Sequence, residues 1–393
     1  MVQSEITLGI VDPSDFSKKT VSGGSSGFLR NILPYLRKKR TIIFGVGIDD
    51  TLPWKTHYLK TNVEFVPICN LRFSSKIPMR LKVLICYIRN RKRILNSGVD
   101  VLYVQMPECC LPFLDNGKAI PVIYHKHGSA NPVARSKFIY GRTILFRKFY
   151  EIVLQLIYKK ANWIITIDRL SFQESIENGA KNRTSLLMNA VDMKTFYPDS
   201  VMRCHARKRF GLKDHDQAIL FVGRIEKTKG PERLLDCIPF LKEAKHPFHI
   251  FLAGDGTFKS YIENRVKKEN YNTCVTFLGH LPHEDLSYFY NMADVLVLPS
   301  ETEGVPMVIL EALACGTPVV ASNVGAIPDL VVGGVNGIVL DDLYPEKMTS
   351  AIIEILTKKI SREEISRSAR PFSVNNFVES FDGIVSHVLK QKL

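Results

Sequence analysis

Residues 299–322 read PSETEGVPMVILEALACGTPVVAS, and they follow a short apolar run, Asp294-Val-Leu-Val-Leu. That run has the length and composition of a buried parallel strand. Glu303-Gly304-Val305-Pro306 reads as a tight loop, with Pro306 suited to the first position of a helix. Met307 to Cys315 is apolar and free of breakers, and Gly316 supplies a left-handed stop. Thr317-Pro-Val-Val-Ala opens the next strand, so the stretch predicts one strand–loop–helix–strand unit. In open parallel sheets a ligand sits beyond the carboxyl ends of the strands, where this loop falls. Glu303 and Glu311 are spaced E-x7-E. Each carboxylate can accept two hydroxyl hydrogen bonds, which suits a polyol ligand. From spacing alone, the pair fits equally a helix-dipole acid and a solvated glutamate.

The surrounding words narrow this. E-G-x-P-x-x-x-L-E-A-x-A-x-G-x-P-V-V-A-S resembles the donor-binding signature of retaining glycosyltransferases of the GT-B fold, family-4 type. The resemblance implies an α/β fold. It further implies two Rossmann-like, doubly wound domains facing each other across a cleft, with a C-terminal helix crossing back to the first domain.

The bulk numbers fit two globular domains. The chain has 393 residues and a formal net charge of +14, enough length for two cores. No run of 18 apolar residues predicts a spanning helix. Met1-Val-Gln-Ser-Glu lacks the basic and apolar regions of a secretory signal, so a cytoplasmic location is expected. The eight cysteines (69, 86, 109, 110, 204, 237, 274 and 315) form no C-x-x-C and no zinc spacing, and they read as reduced thiols. Charge is uneven. Residues 1–200 carry 30 Lys and Arg against 15 Asp and Glu, and residues 201–393 carry 23 against 24. A basic first half predicts an anionic surface or ligand for it. Six of its cations fall between Arg80 and Arg93 in a helical pattern (Lys76–Leu95). A second basic–aromatic stretch runs from Arg135 to Lys160. Both fit amphipathic helices on an anionic membrane, or helices packed on a sheet with solvated lysines. Nucleic acid is the competing polyanion, but no nucleic-acid module is recognisable, and it is not expected as a partner.

In chain order, Ile6–Asp12 predicts a first strand, followed by a loop and a helix over Gly27–Lys38. Ser22-Gly23-Gly24-Ser25-Ser26-Gly27 precedes that helix, where free N–H groups favour an anion and glycine permits close approach. It resembles the family's glycine-rich first loop. Thr41–Gly47, Asn62–Pro67, Val99–Gln105, Val122–His127 and Trp163–Ile167 are further strands. The fourth ends in His125-Lys126-His127-Gly128, where His127 matches the family's donor-facing histidine. Asn189-Ala190-Val191-Asp192, with Phe196-Tyr197-Pro198, resembles N-G-V-D-x-x-x-F-x-P, with alanine in place of glycine.

Residues 1–198, with 373–393 as the crossing helix, are expected to form an acceptor-side domain. Residues 199–215 are expected to be a linker, and 216–372 a donor domain. Gly223-Arg224-Ile225-x-x-x-Lys229-Gly230 follows the donor domain's first strand and resembles the family's diphosphate clamp, Arg acting as a fork and Lys as a point charge. Gly254-Asp255-Gly256 and the segment Val275–Leu281 resemble loops lining the nucleotide.

The implied reaction moves a sugar from a nucleotide diphosphate to an acceptor hydroxyl with retention, in bacterial-type cell-surface polysaccharide or glycolipid assembly. In it, Arg224 and Lys229 stabilise the departing diphosphate, with help from helix N-termini at Gly23–Gly24 and after Lys229. Glu311 holds the ribose. Glu303 holds the sugar and faces the anomeric carbon, and His127 contacts the sugar or a phosphate. Gly304, Val305, Pro306, Gly223, Gly254, Gly256 and Leu281 complete the donor set. No cofactor and no metal are expected, the donor being a UDP- or GDP-sugar. Asp214-His215-Asp216, the only Asp-x-Asp, reads as a solvated turn. The expected acceptor is a lipid-linked or other glycan, with peripheral attachment to the inner face of the cytoplasmic membrane. Two alternatives are a GT-B nucleotide-sugar epimerase or hydrolase, and a membrane-associated binding protein of degenerate GT-B fold.

Overall fold

The structure is a computed structural model describing residues 6–18, 24–36, 39–48, 51–71, 78–115, 120–128, 144–244, 247–358 and 360–391. The chain divides into two compact units, 1–189 with 374–393, and 190–373. Each is a sheet of mostly parallel strands covered by helices.

The first unit begins β1 (Thr7–Val11), α1 (Gly24–Ile32), β2 (Arg40–Gly47), β3 (His57–Lys60) and β4 (Val63–Asn70). It continues α2 (Met79–Leu95), β5 (Val101–Val104), α3 (Pro107–Cys110), β6 (Val122–Lys126) and α4 (Ile144–Lys160). Next come β7 (Trp163–Thr166), α5 (Arg169–Ser175) and β8 (Thr184–Leu186). The sheet order is β3-β4-β2-β1-β5-β6-β7-β8, and among the described residues only β3 pairs antiparallel. Central strands buried on both faces require near-continuous apolar sequence; in β5 every side chain is at 0% exposure. The helix expected at Gly27–Lys38 is α1, followed by a 3-10 turn at Leu33–Tyr35. Gly23 and residues 129–143 lie outside the described residues.

One expectation about the cysteines is overturned. Cys69 and Cys86 form a disulfide; the other six are free. The strand expected to end at Pro67 continues to Asn70. Cys69 is thereby carried alongside α2, with the two Cα atoms 6.4 Å apart, within bridging range.

The second unit runs α6 (Ser200–Arg209), β9 (Gln217–Val222), α7 (Pro231–Asp236), α8 (Ile238–Glu243), β10 (Phe248–Ala253), α9 (Lys259–Lys268) and β11 (Val275–Gly279). It continues α10 (Leu286–Met292), β12 (Val295–Leu298), α11 (Met307–Ala314), β13 (Val319–Ser322) and α12 (Ile327–Leu330). Then follow β14 (Gly337–Leu340), α13 (Pro345–Thr357) and α14 (Arg362–Ala369). The order β11-β10-β9-β12-β13-β14 is parallel throughout. The predicted strand–loop–helix–strand unit is β12, α11 and β13, and Gly316 turns left-handed at φ +74°. The unit's two ends meet where Val191 N donates to Phe372 O at 2.9 Å.

The segment expected to be a linker is instead largely helical. Asp199 caps α6 by accepting from Met202 N at 2.9 Å. Arg207 reaches Asp294 at 3.0 Å, Arg203 ion-pairs with the same carboxylate, and Arg203 also donates to the carbonyls of Asn291, Met292 and Ala293. α6 thus neutralises the carbonyl end of α10 and is part of the second unit.

α15 (Val374–Lys390) returns to the first unit. Its buried stripe includes Phe377, Phe381, Val385 and Val388. Phe377 meets Phe28 edge-on at 4.9 Å and Phe381 lies 4.6 Å from Tyr103. Asp382 pairs with Lys39. Among the described residues, no helix is long and apolar enough to cross a membrane.

Candidate donor site

Four loops at the carboxyl ends of β9, β10, β11 and β12 hold the second unit's candidate residues other than Glu311, which lies on α11. Their backbones mesh too closely for side chains. A Cβ on Gly254, where φ is +141°, would lie 1.8 Å from Gly223 O. Gly230, at φ +69°, would meet Pro299 O at 2.3 Å. Only glycine fits either position. Glu301 N donates to Thr228 O at 2.9 Å, joining the loops after β9 and β12. By contrast Gly223 has no comparable crowding around its own Cβ position.

Lys229 and Glu303, 74 residues apart in sequence, meet here. Lys229 Nζ lies 2.6 Å from Glu303 Oε1, and Ser300 Oγ donates to the same oxygen at 2.7 Å. The Glu303 side chain is only 9% exposed, so the pair is largely desolvated. Arg224 is different: its side chain is 74% exposed and its nearest acid, Glu226, is 3.9 Å away. One cation is therefore committed to a carboxylate while the other faces solvent. Val305 and Pro306 are buried beneath the loop, Gly304 is exposed and Leu281 half-buried. Helix α7, which follows Lys229, has six residues, so its dipole is small.

Glu311 is buried within α11 at 2% exposure. Tyr290 Oη donates to its Oε2 at 2.8 Å. His283 Nε2 lies 2.9 Å from its Oε1. Burial, and then the neighbouring Glu311 charge, push the Tyr290 hydroxyl well above its ordinary value.

His127 and Gly24 belong to the first unit. Gly24 is the first residue of α1. His127 Nε2 lies 2.7 Å from Gln105 Oε1, and its ring is 4.2 Å from that of His125. Burial pushes His127 down to about 4 and His125 well below the ordinary imidazole value, with His127 adding to the effect. Both are neutral at pH 7. His125 is fixed from below by Tyr103 Oη at 2.5 Å.

Sequence reasoning missed Ser300, Tyr290 and His283, and in the first unit Gln105. Only His283 had a signal, since its Pro-His-Glu-Asp turn directly follows Leu281. Among the described residues, no group of three or more His, Cys, Asp or Glu could hold a metal ion.

A family model described as glycosyl transferases group 1 matches residues 203–372. The match covers less than half of the chain, and over it the segment is similar to that family. It contains Arg224, Lys229, Glu303 and Glu311 together. An uncharacterized glycosyltransferase of Methanocaldococcus jannaschii is 30% identical over 214 residues, covering 53% of this chain and 54% of that protein. The chain spans about half the length of curated relatives of this kind; spore coat protein SA of Bacillus subtilis, 30% identical, aligns over 56% of its length and 50% of this chain. Sucrose-phosphate synthase from Thermosynechococcus elongatus superposes with a TM-score of 0.79 at 19% identity, covering 98% of this chain and 100% of that one. Anabaena HepE in complex with UDP and glucose gives 0.69 at 17%, covering 97% and 100%. Both likenesses establish the GT-B fold across the whole chain, group 1 segment included.

Proposed function

We propose that this chain is a metal-independent retaining glycosyltransferase that takes a hexosyl-type sugar from a nucleoside diphosphate. The observation that carries the reading is the juxtaposition, within the group 1 segment, of the Lys229–Glu303 pair and a solvent-facing Arg224. In the reaction, the bond from the anomeric carbon to the diphosphate breaks and a bond to the acceptor oxygen forms. The acceptor's proton leaves with the diphosphate. Arg224 supplies a fork for the departing diphosphate. Lys229, with three donors, can hold Glu303 and reach a phosphate oxygen at once. Glu303, oriented by Ser300 and Lys229, offers its remaining lone pairs to sugar hydroxyls. Glu311 serves the ribose. Neutral His127 serves the sugar as a hydrogen-bonding group rather than a charge.

UDP is the first donor to test, since HepE binds UDP and glucose. The acceptor we propose is a lipid-linked or other glycan, in cell-surface polysaccharide or glycolipid assembly at the cytoplasmic face of the membrane. Support comes from the basic first half, and from exposed Ile88 on α2 (55%) and Ile152 on α4 (60%) among the basic residues of those helices. A thermal-shift titration of the chain with UDP, GDP and their sugars, with and without EDTA, tests the reading. Ligand bound to the native state raises Tm. A selective, EDTA-insensitive rise is expected, and the absence of any rise overturns the proposal. Salt-dependent flotation with anionic liposomes tests the membrane arm.

A further inference from the structure

Both oxygens of Glu311 are already in use. Tyr290 approaches from inside, fully buried, its ring 6.0 Å from that of Phe196. His283 approaches from outside, on the turn between β11 and α10, with 48% of its side chain exposed. Its ring stands edge-on to Phe196 at 5.2 Å. The Glu311 side chain keeps only 3% of its surface, so the imidazole covers the solvent side of Oε1. A ligand hydroxyl can reach that oxygen only if the imidazole yields.

We propose that His283 is a positioning residue that caps Glu311 in the empty donor site and is exchanged for a ribose hydroxyl when a nucleoside diphosphate binds, so that its charge state sets nucleotide affinity. The inference rests on the sugar-transfer reading above. The exchange replaces an imidazole N–H donor by a hydroxyl donor at the same oxygen. Against neutral imidazole the two bonds are of similar strength. Against imidazolium, a charge-assisted bond must be surrendered.

The groups facing His283 are Glu311 from α11, Glu284 on its own turn and Asp192 from the segment before α6. The Glu311 hydrogen bond raises its proton affinity most, with burial opposing it. Tyr290 stays neutral across the range. The imidazolium is therefore held to a pH above the ordinary imidazole value, and affinity should rise as pH rises through that region.

The experiment is calorimetric titration of the full chain with UDP at pH 5.5 and pH 8, for the native protein and His283→Asn. The diphosphate's own titration near pH 6 is common to both and cancels in the ratio. Native affinity is expected to gain about tenfold over His283→Asn between the two pH values, with the variant the tighter binder at pH 5.5. Identical pH dependence in the two proteins overturns the cap and leaves sugar transfer standing. If neither UDP, GDP nor ADP binds either protein, the sugar-transfer reading fails. The His283–Glu311 contact is then read separately by histidine NMR: an unchanged His283 titration in Glu311→Gln overturns the cap itself.

Discussion

Arg224 and Lys229 look alike in sequence, two cations five residues apart, yet they occupy different physical situations. Lys229 is paired in a largely desolvated site, so Lys229→Ala leaves Glu303 uncompensated and is expected to cost about 3 kcal/mol of stability. Arg224 is exposed, and Arg224→Ala is expected to change stability by no more than about 0.5 kcal/mol while slowing turnover by about a hundredfold. Urea denaturation alongside single-turnover rates with the donor checks both. Equal stability losses would contradict the division. His127 offers a test in pH. Its imidazole binds protons less readily folded than unfolded, so the unfolded chain takes up a proton between about 4 and the ordinary 6.5 that the folded chain refuses. Its contribution to stability is complete above that window and is lost as pH falls through it. His125 adds a slope of the same sign. His127→Asn should lose less stability than the native protein between pH 7 and pH 4.5 by urea midpoint; a matching loss would contradict the assignment. The positions of Lys229, Glu303 and Glu311 in their loops and helix were legible because strand, glycine and proline signals are local. Their partners were not. Ser300 is a generic residue next to a strand, and Tyr290 acquires meaning only once α10 and α11 are packed together.

At the level of elements, periodicity revealed what is held by apolar burial and missed what is held by charge. β12 and α11 carry near-continuous apolar sequence, and their existence and order were plain. α6 has few apolar residues and read as a polar connection, because its anchors are arginines whose partners lie some 85–90 residues away in sequence. Asp294 is the centre of that anchoring, accepting from Arg203, Arg207 and Ala218 N. Asp294→Ala should destabilise the second unit by about 3 kcal/mol, since two part-buried guanidinium groups lose their counter-charge. Backbone hydrogen exchange in α6 and β9 measures it, and unchanged protection there would show that the carbonyl contacts suffice. The Cys69–Cys86 bond was likewise invisible, because a strand end that extends past a proline by three residues cannot be read from a one-strand pattern.

For the whole molecule, the resemblance anticipated two sheet units with a late helix returning to the first, and the topology agrees. Phe381 on that helix is fully buried against Tyr103. Phe381→Ala should cost the first unit about 3–5 kcal/mol. The chain's two tryptophans, Trp54 and Trp163, both lie in the first unit, so their fluorescence reports on that unit alone. An unaltered fluorescence transition in the variant would mean that α15 is dispensable to the first unit.

The return of α15 also sets an order of events on the ribosome. Residues 1–189 emerge first, yet the helix that covers Phe28 and Tyr103 begins only at Val374. Translation at 5–20 residues per second separates the two by roughly 10–40 s. The second unit, contiguous in sequence, is made in that interval. The first-made half waits with an apolar face uncovered, and that interval is when the nascent chain is most in need of a chaperone.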